Sequence, residues 1–344
     1  MKAIRRFQKA PRAAQIENVA IPEPGPNQVL LKVHYCGVCG SDLHAYLNHA
    51  GYETVLEQVT FGHEVAGVIE SIGTDVQNWN PGERAILTAI QPTDSDCPYV
   101  QSGRPQLSPS RRVQGLHLDG GMAEYVIIEQ QFLIRIPDNL DLRSAALTEP
   151  LSVADHCIVN RSDIGKNDKV IVSGPGIIGI LCAIVARHQG ARVLVSGTKA
   201  DEKVRLSAAR NIGFDTVTVG PDLPPLHEQS IHHFGTEADA FVEASGAGPA
   251  LTDSWQSVQM DGTISAVALY GQNVNMDVTQ FVRKQIDIRT SYGSALSSYE
   301  RAMELLEKNI VPTEQLVRHY ELRNGLQAFE DAEKQEVMKP ILEC

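Results

Sequence analysis

The chain has 344 residues, 42% hydrophobic and 21% charged, with a formal net charge of -12. That length fits one large or two ordinary globular domains, and the acidic balance leaves no basic stripe for a nucleic-acid partner. No stretch reaches the ~18–20 apolar residues of a membrane span, and no apolar run follows the charged start Met1-Lys2-Ala3-Ile4-Arg5-Arg6-Phe7, so neither an anchor nor a leader is expected.

The six cysteines lack regular spacing. They suggest a reducing compartment rather than a disulfide framework, and a cytosolic protein is expected. Residues 1–35 read as short strands separated by turns. Pro22-Glu23-Pro24-Gly25-Pro26 is a stiff turn, and Gln28 to His34 is a strand. Val65 to Ile72 and Ala85 to Ile90 are further strand candidates, with Asn80-Pro81-Gly82 turning between them. Many short strands with Gly/Pro turns indicate a small β-barrel.

Directly after the first long strand comes Gly37-Val38-Cys39-Gly40-Ser41-Asp42-Leu43-His44, followed later by Gly62-His63-Glu64. Taken singly, Cys39 reads as a small buried hydrophobe, His63 as a capped or surface histidine, and Glu64 as a solvated carboxylate. Together they supply three zinc-ligand types. Three protein ligands with an open fourth position describe a catalytic site rather than a structural one.

These two stretches resemble the zinc-dependent medium-chain dehydrogenases, most closely the sorbitol (polyol) and threonine dehydrogenase branch. The resemblance implies that Cys39 and His63 bind zinc, that Glu64 is a ligand or stands just behind one, and that Asp42 orients the ligand histidine. It further implies that Ser41 and His44 pass the substrate proton outward. It implies a GroES-like β-rich catalytic domain interrupted by an inserted Rossmann dinucleotide-binding domain with a doubly wound parallel sheet. Residues 1–149 and 291–344 would form the first, and 150–290 the second.

Many such proteins carry a second, structural zinc on the pattern Cys-x-x-Cys-x-x-Cys-x7-Cys. Here Asp94, Cys97, Val100 and Ser108 stand at the four positions. Valine cannot coordinate a metal, so a closed tetrahedral site is excluded and one zinc per chain is expected. The segment to Arg112 should be an irregular lobe held by packing. His117-Leu118-Asp119-Gly120-Gly121-Met122-Ala123-Glu124-Tyr125 resembles the family's turn into a strand passing the active site. Glu149, before Pro150, reads locally as a helix-start carboxylate. By resemblance it faces the zinc where the ethanol-type branch has a cysteine, and so favours the polyol branch.

Lys169 to Ser173, then Gly174-Pro175-Gly176-Ile177-Ile178-Gly179, then an apolar helix to Gly190 gives strand, Gly-x-Gly-x-x-Gly turn and helix. The glycines allow a tight turn and backbone approach to a pyrophosphate, which a helix N-terminus attracts. A second strand, Ala191 to Val195, completes the context. At its end, where NAD-users place an acidic residue, stands Gly197. The hydroxyls of Ser196 and Thr198, with Lys199, Lys203 and Arg205, suit a 2′-phosphate, so NADP is favoured over NAD. Decoration of an exposed helix start is the rival reading of these basic residues, and Asp201 swinging in would restore an NAD contact.

The βα alternation continues through a helix over 206–212, a strand over 216–219, a helix over 226–234, and strands over 238–246 and 262–271. His227, His232 and His233 read as surface residues of the cofactor half. After Gly293 a helix over 298–308 returns the chain to the first domain. At Gly293 the sorbitol dehydrogenases carry a substrate-binding arginine, so the resemblance does not extend to sorbitol itself; Tyr292 is an alternative lining residue. The expected activity is hydride transfer between a secondary alcohol or its ketone and NAD(P). Rivals are a threonine-type amino alcohol dehydrogenase and a zinc-free, silent nucleotide-binding protein. By resemblance the protein is a homodimer or homotetramer.

Overall fold

A computed structural model describes all residues, 1–344. The chain divides into two compact units, one formed by Met1–Pro150, Ala295–Asn309 and Val317–Cys344, the other by Leu151–Ser294 and Ile310–Leu316.

The first unit is built on the strand Gln28–Gly37, whose Val29, Leu31, Val33 and Cys36 are buried. One edge of this strand pairs with Glu64–Ile72, and the other pairs first with Tyr125–Glu129 and then with Lys339–Glu343. Register decides which residues meet at its end, because Gly37 lies opposite both Glu64 and Ile341. Segments far apart in sequence are thereby brought side by side. Val317–Glu321 and Lys339–Glu343 run parallel, a pairing that needs a crossover, and Gly325–Glu333 is the helix that supplies it. Phe329 on this helix packs against Tyr46 and Phe61, with ring centroids 5.0 and 5.6 Å apart. That apolar contact fixes the short helix Gly40–Tyr46 against the unit's core.

The second unit holds six parallel strands. Counted along the chain from Lys169–Ser173, their order is 3-2-1-4-5-6, the doubly wound arrangement whose ligand crevice lies at the strands' carboxyl ends. Val170, Ile171 and Val172 of the central strand are fully buried, as expected of a sheet covered on both faces.

Two elements depart from expectation. The strand expected over 262–271 is Val258–Ala266, paired with Ala238–Glu243 only as far as Ala266. The apolar run outlasts the sheet, and Leu269 is 61% exposed. The helix expected over 206–212 opens instead with a π-helical turn, Glu202–Leu206, before Ser207–Asn211. Such turns accommodate an extra residue in a helix and are frequent at functional sites. The lobe at 94–112 is irregular, with a single α-helical turn at Pro98–Gln101 and a 3-10 turn at Pro105–Leu107.

Candidate active site

Cys39 precedes the helix Gly40–Tyr46 with extended backbone. Asp42, three residues on, reaches back and accepts the Cys39 N–H at 3.0 Å, so the cap fixes the cysteine's backbone. The other Asp42 oxygen accepts the Gly62 N–H at 3.3 Å and stands 3.6 Å from His63 Nδ1, too far for a hydrogen bond but close enough to act on its charge. One buried carboxylate thus ties together the two metal-candidate stretches. Gly62 itself has φ +99°, and a Cβ there would come within 2.7 Å of Met122 Cγ, so only glycine delivers His63 at this point.

The donor atoms of Cys39, His63 and Glu64 lie within 4.8 Å of one another. His63 and Glu64 are 3% and 1% exposed, and neither His63 Nδ1 nor Glu64 Oε1 has a hydrogen-bond partner. Buried polar atoms left in this state cost stability unless something else engages them. A thiol, an imidazole and a carboxylate converging in a buried place fit a zinc ion. Burial alone would discourage a charged His63, but Asp42 and Cys39 outweigh it and hold the imidazole's pKa well above the ordinary value. Burial likewise raises the Asp42 carboxyl, against the pull of His63.

Glu149 stands outside the trio on the helix Thr148–Asp155 and acts on it electrostatically. Burial pushes its carboxyl up to about 7, with His63 and Lys339 opposing and Glu64 adding to the rise. Ser41 Oγ lies 3.4 Å from His63 Nε2. His44 is exposed and turned to different neighbours: its Nδ1 is 2.8 Å from His49 Nδ1, and its ring stacks on Tyr52 at 5.4 Å. Partial desolvation of its ring and the neighbouring His49 lower its pKa.

Sequence reading misses Lys339. This lysine is 1% exposed, pairs with Glu64, and donates to Val38 O at 2.9 Å. Its signal is faint, a single cation opening an apolar terminal strand.

In the lobe at 94–112, Cys97 is hydrogen-bonded by Ser108, which lowers the thiol's pKa. Ser108 and Ser110 hydroxyls are 3.0 Å apart, and Ser110 Oγ accepts the Asp94 N–H at 3.1 Å. Hydroxyl hydrogen bonds thus link the positions where a four-cysteine site would sit.

In the second unit Gly174 has φ +99°, and a Cβ would come within 2.6 Å of the Ser245 backbone. A Cβ on Gly179 would overlap Gly174 O, so the turn needs both glycines. Gly176 caps the helix Ile177–His188, with Ile177 and Ile178 in its first turn. A cavity of about 590 Å³ is lined by Gly174, Ser196, Gly197, Thr198 and Asp201, among others. Lys199 and Lys203 are exposed and do not line it. Asp201 is occupied: it accepts from Thr198 N and Oγ1, both at 2.8 Å, and pairs with Arg205 at 3.3 Å. A Cβ on Gly197 would come within 2.7 Å of Pro175 Cγ. His227, His232 and His233 join no cluster of metal-ligand groups.

Residues 25–138 match the alcohol dehydrogenase GroES-like domain, and residues 178–308 match the zinc-binding dehydrogenase family. A sorbitol dehydrogenase of Halalkalibacterium halodurans is 34% identical over 99% of both chains. Among solved structures, a zinc-binding dehydrogenase from Sinorhizobium meliloti bound to NADP superposes with TM-score 0.89 at 26% identity, over 100% of this chain and 99% of that one. The 2R,3R-butanediol dehydrogenase of Bacillus subtilis gives 0.90 at 25% over the same shares. With the Cys/His/Glu trio in one unit and the glycine turn in the other, the chain belongs to the zinc-dependent medium-chain dehydrogenases, in their sorbitol/polyol branch.

Proposed function

We propose that the protein interconverts a polar secondary alcohol, a polyol or sugar derivative, and its ketone, with NADP as hydride carrier and one zinc per chain. The convergence of Cys39, His63 and Glu64 with unpartnered buried atoms carries this reading. Zinc, when bound, would supply Lewis acidity at the alcohol oxygen. Cys39, His63 and Glu64 would hold it, Glu149 would add to the anionic surround, and Asp42 would orient His63. Ser41 takes the substrate proton and His44 carries it toward solvent. The catalytic domain is residues 1–149 with 291–344, around a cofactor domain of 150–290.

The preference for NADP is supported by what is missing near the ribose. Gly197 has no room for a side chain, and Asp201 is committed to Thr198 and Arg205, so no carboxylate is free for a 2′-hydroxyl. Ser196 and Thr198 line the cavity, and Lys199, Lys203 and Arg205, which follow them in the chain, are the cations proposed for a 2′-phosphate. The sorbitol dehydrogenase relative favours a polyol over a threonine-type amino alcohol, and Gly293 in place of the family's arginine favours a polyol other than sorbitol. Hydroxyl bonding in the Cys97–Ser108 lobe supports a single zinc.

A homo-oligomer is supported by the outermost strand Asp287–Thr290, which leaves one edge unpaired, and by exposed Val282 and Ile288 near it. No helix is long and apolar enough to cross a membrane. All six cysteines are free thiols, which fits a cytosolic setting. Steady-state rates on a panel of polyols, diols and amino alcohols, each with NAD and NADP and with a zinc-stripped control, test the reading. Turnover restricted to polyols or diols, favouring NADP and lost with the metal, is expected; NAD preference or metal-independent turnover would overturn it.

A further inference from the structure

Glu243 closes the strand Ala238–Glu243 with a carboxylate that is 0% exposed. A buried charge is costly unless hydrogen bonds satisfy it. The donors here are neutral: the Ser245 N–H at 2.8 Å, the Gly246 N–H at 3.1 Å, and the hydroxyls of Ser245 and Tyr270. Burial and this carboxylate push the Tyr270 phenol's pKa up, so it stays a donor. The proposed chemistry gives Tyr270 no task.

Glu243 also holds the chain beyond the neighbouring strand. Its backbone carbonyl accepts the Val267 and Ala268 N–H groups at 3.0 and 3.3 Å, just past the end of Val258–Ala266. The Tyr270 hydroxyl then returns to its side chain. That loop is pinned on both sides of Leu269, which stands 61% exposed between the pins. Neighbouring loops abut it closely. Gly246 has φ +70°, and a Cβ there would come within 3.0 Å of Leu269 O, while the Ser245 backbone lies where a Cβ on Gly174 would meet it at 2.6 Å. The loop bearing Leu269, the loop after Glu243 and the glycine turn are thus held together around one carboxylate.

In a doubly wound sheet a dinucleotide lies across the carboxyl ends of the strands, one half on each side of the first strand. On one side of Lys169–Ser173 is Arg192–Thr198, whose end carries Gly197 and Thr198 in the cavity read as the place of the 2′-phosphate. On the other side are Ala238–Glu243 and Val258–Ala266, so the nicotinamide half belongs to the side of the sheet that carries Leu269. Resting on the dinucleotide reading of this unit, we propose that Tyr270 is a positioning residue for the nicotinamide half of the cofactor, its hydrogen bond to Glu243 holding Leu269 ready as an apolar surface for that half. A side chain fixed in advance on both sides loses less freedom when a ligand covers it, so binding is stronger.

Isothermal titration calorimetry of the full-length protein tests this with NADP and with 2′,5′-ADP, which lacks the nicotinamide half, on wild type, Tyr270→Phe, Leu269→Ala and the double variant. NAD and ADP are titrated alongside as the second pair. Tyr270→Phe keeps the ring on the unit's apolar core. It should bind NADP about tenfold more weakly, a loss of the size that releasing one hydrogen bond to a charged group allows, while 2′,5′-ADP stays within about twofold of wild type. Leu269→Ala should show the same split, and the double variant should lose no more than either single change, because both act through one side chain. A tyrosine that serves stability alone predicts a lower Tm with both ligands weakened alike or neither; that result, or additive losses in the double variant, overturns the proposal. Should Tyr270→Phe not fold, exposed Leu269 still decides, since Leu269→Ala without the split overturns it equally. Wild type that binds neither dinucleotide takes down the cofactor reading as well. Wild type that prefers NAD takes down the NADP preference, and NAD with ADP then carries the comparison. Wild type that binds its dinucleotide, with no split in Tyr270→Phe, takes down only the role of Tyr270.

Discussion

Asp42 is the point at which stability and chemistry are joined most tightly. Its carboxylate is fully buried and accepts two backbone N–H groups, from Cys39 at 3.0 Å and Gly62 at 3.3 Å. Asp42→Ala strands both donors, and an unsatisfied buried amide costs about 1–3 kcal/mol. Removing a carboxyl whose ionisation burial already disfavours returns part of that loss, so a net destabilisation of about 2–4 kcal/mol is expected. The same change removes the charge beside His63 Nδ1, and losing such a partner lowers metal affinity about 10–100-fold.

Urea unfolding of the metal-free protein measures the first effect. With Trp255 replaced by phenylalanine, buried Trp79 is left as the sole tryptophan, a reporter within the catalytic unit. Competition with a zinc chelator measures the second effect. Asp42→Asn, which keeps one acceptor oxygen, should lose about half as much stability. An Asp42→Ala protein within roughly 0.5 kcal/mol of wild type, a margin typical of surface changes, would refute the argument, as would unchanged zinc affinity.

Gly197→Asp, the obvious step toward NAD use, should fail. Its Cβ would press on Pro175 Cγ at 2.7 Å and on Leu206, so KM should rise for both cofactors with no gain in kcat/KM for NAD, and stability should fall by about 1–3 kcal/mol in thermal unfolding. Tyr320→Phe removes a hydroxyl donated to buried Asp331 at 2.6 Å and should cost about 1.5–3 kcal/mol at neutral pH. The hydrogen bonds from Tyr320 and Gln327 hold the Asp331 carboxyl below its ordinary value. Their stabilisation is therefore present above the unfolded carboxyl's pKa of about 3.9 and is lost as pH falls through the lower folded value. Denaturation midpoints of wild type and Tyr320→Phe should converge in that acid range, and a difference that persists below it would contradict the assignment.

The zinc candidates are legible in the sequence because the ligands sit on two short stretches whose residue types carry the chemistry locally. By resemblance Asp42 is an orienting group there, and in the structure it is a helix cap as well, because the helix start faces Gly62-His63. The capping box of Thr198 and Asp201 is written plainly as Thr-x-x-Asp, yet beside a glycine turn the same residues suggest a nucleotide contact. Lys339 is not legible, since its meeting with Glu64 depends on the register of the terminal strand against Gly37, which no local pattern announces. The apolar run over 262–271 overshoots for a related reason. Hydrophobicity marks what is apolar, and only the partner strand's length says where the sheet stops. The Rossmann order is carried by alternation, glycine turn and buried strands together, which agree at every level.

The central claim is that Cys39, His63 and Glu64 hold one zinc ion on which turnover depends. Metal content by plasma mass spectrometry on purified wild type and Cys39→Ala, with dehydrogenase activity on the same samples, tests it directly. One equivalent of zinc per chain in wild type is expected, with metal and activity both lost in Cys39→Ala while the folded protein persists by circular dichroism. Two equivalents in wild type, or a Cys39→Ala protein that keeps its activity without zinc, would contradict it.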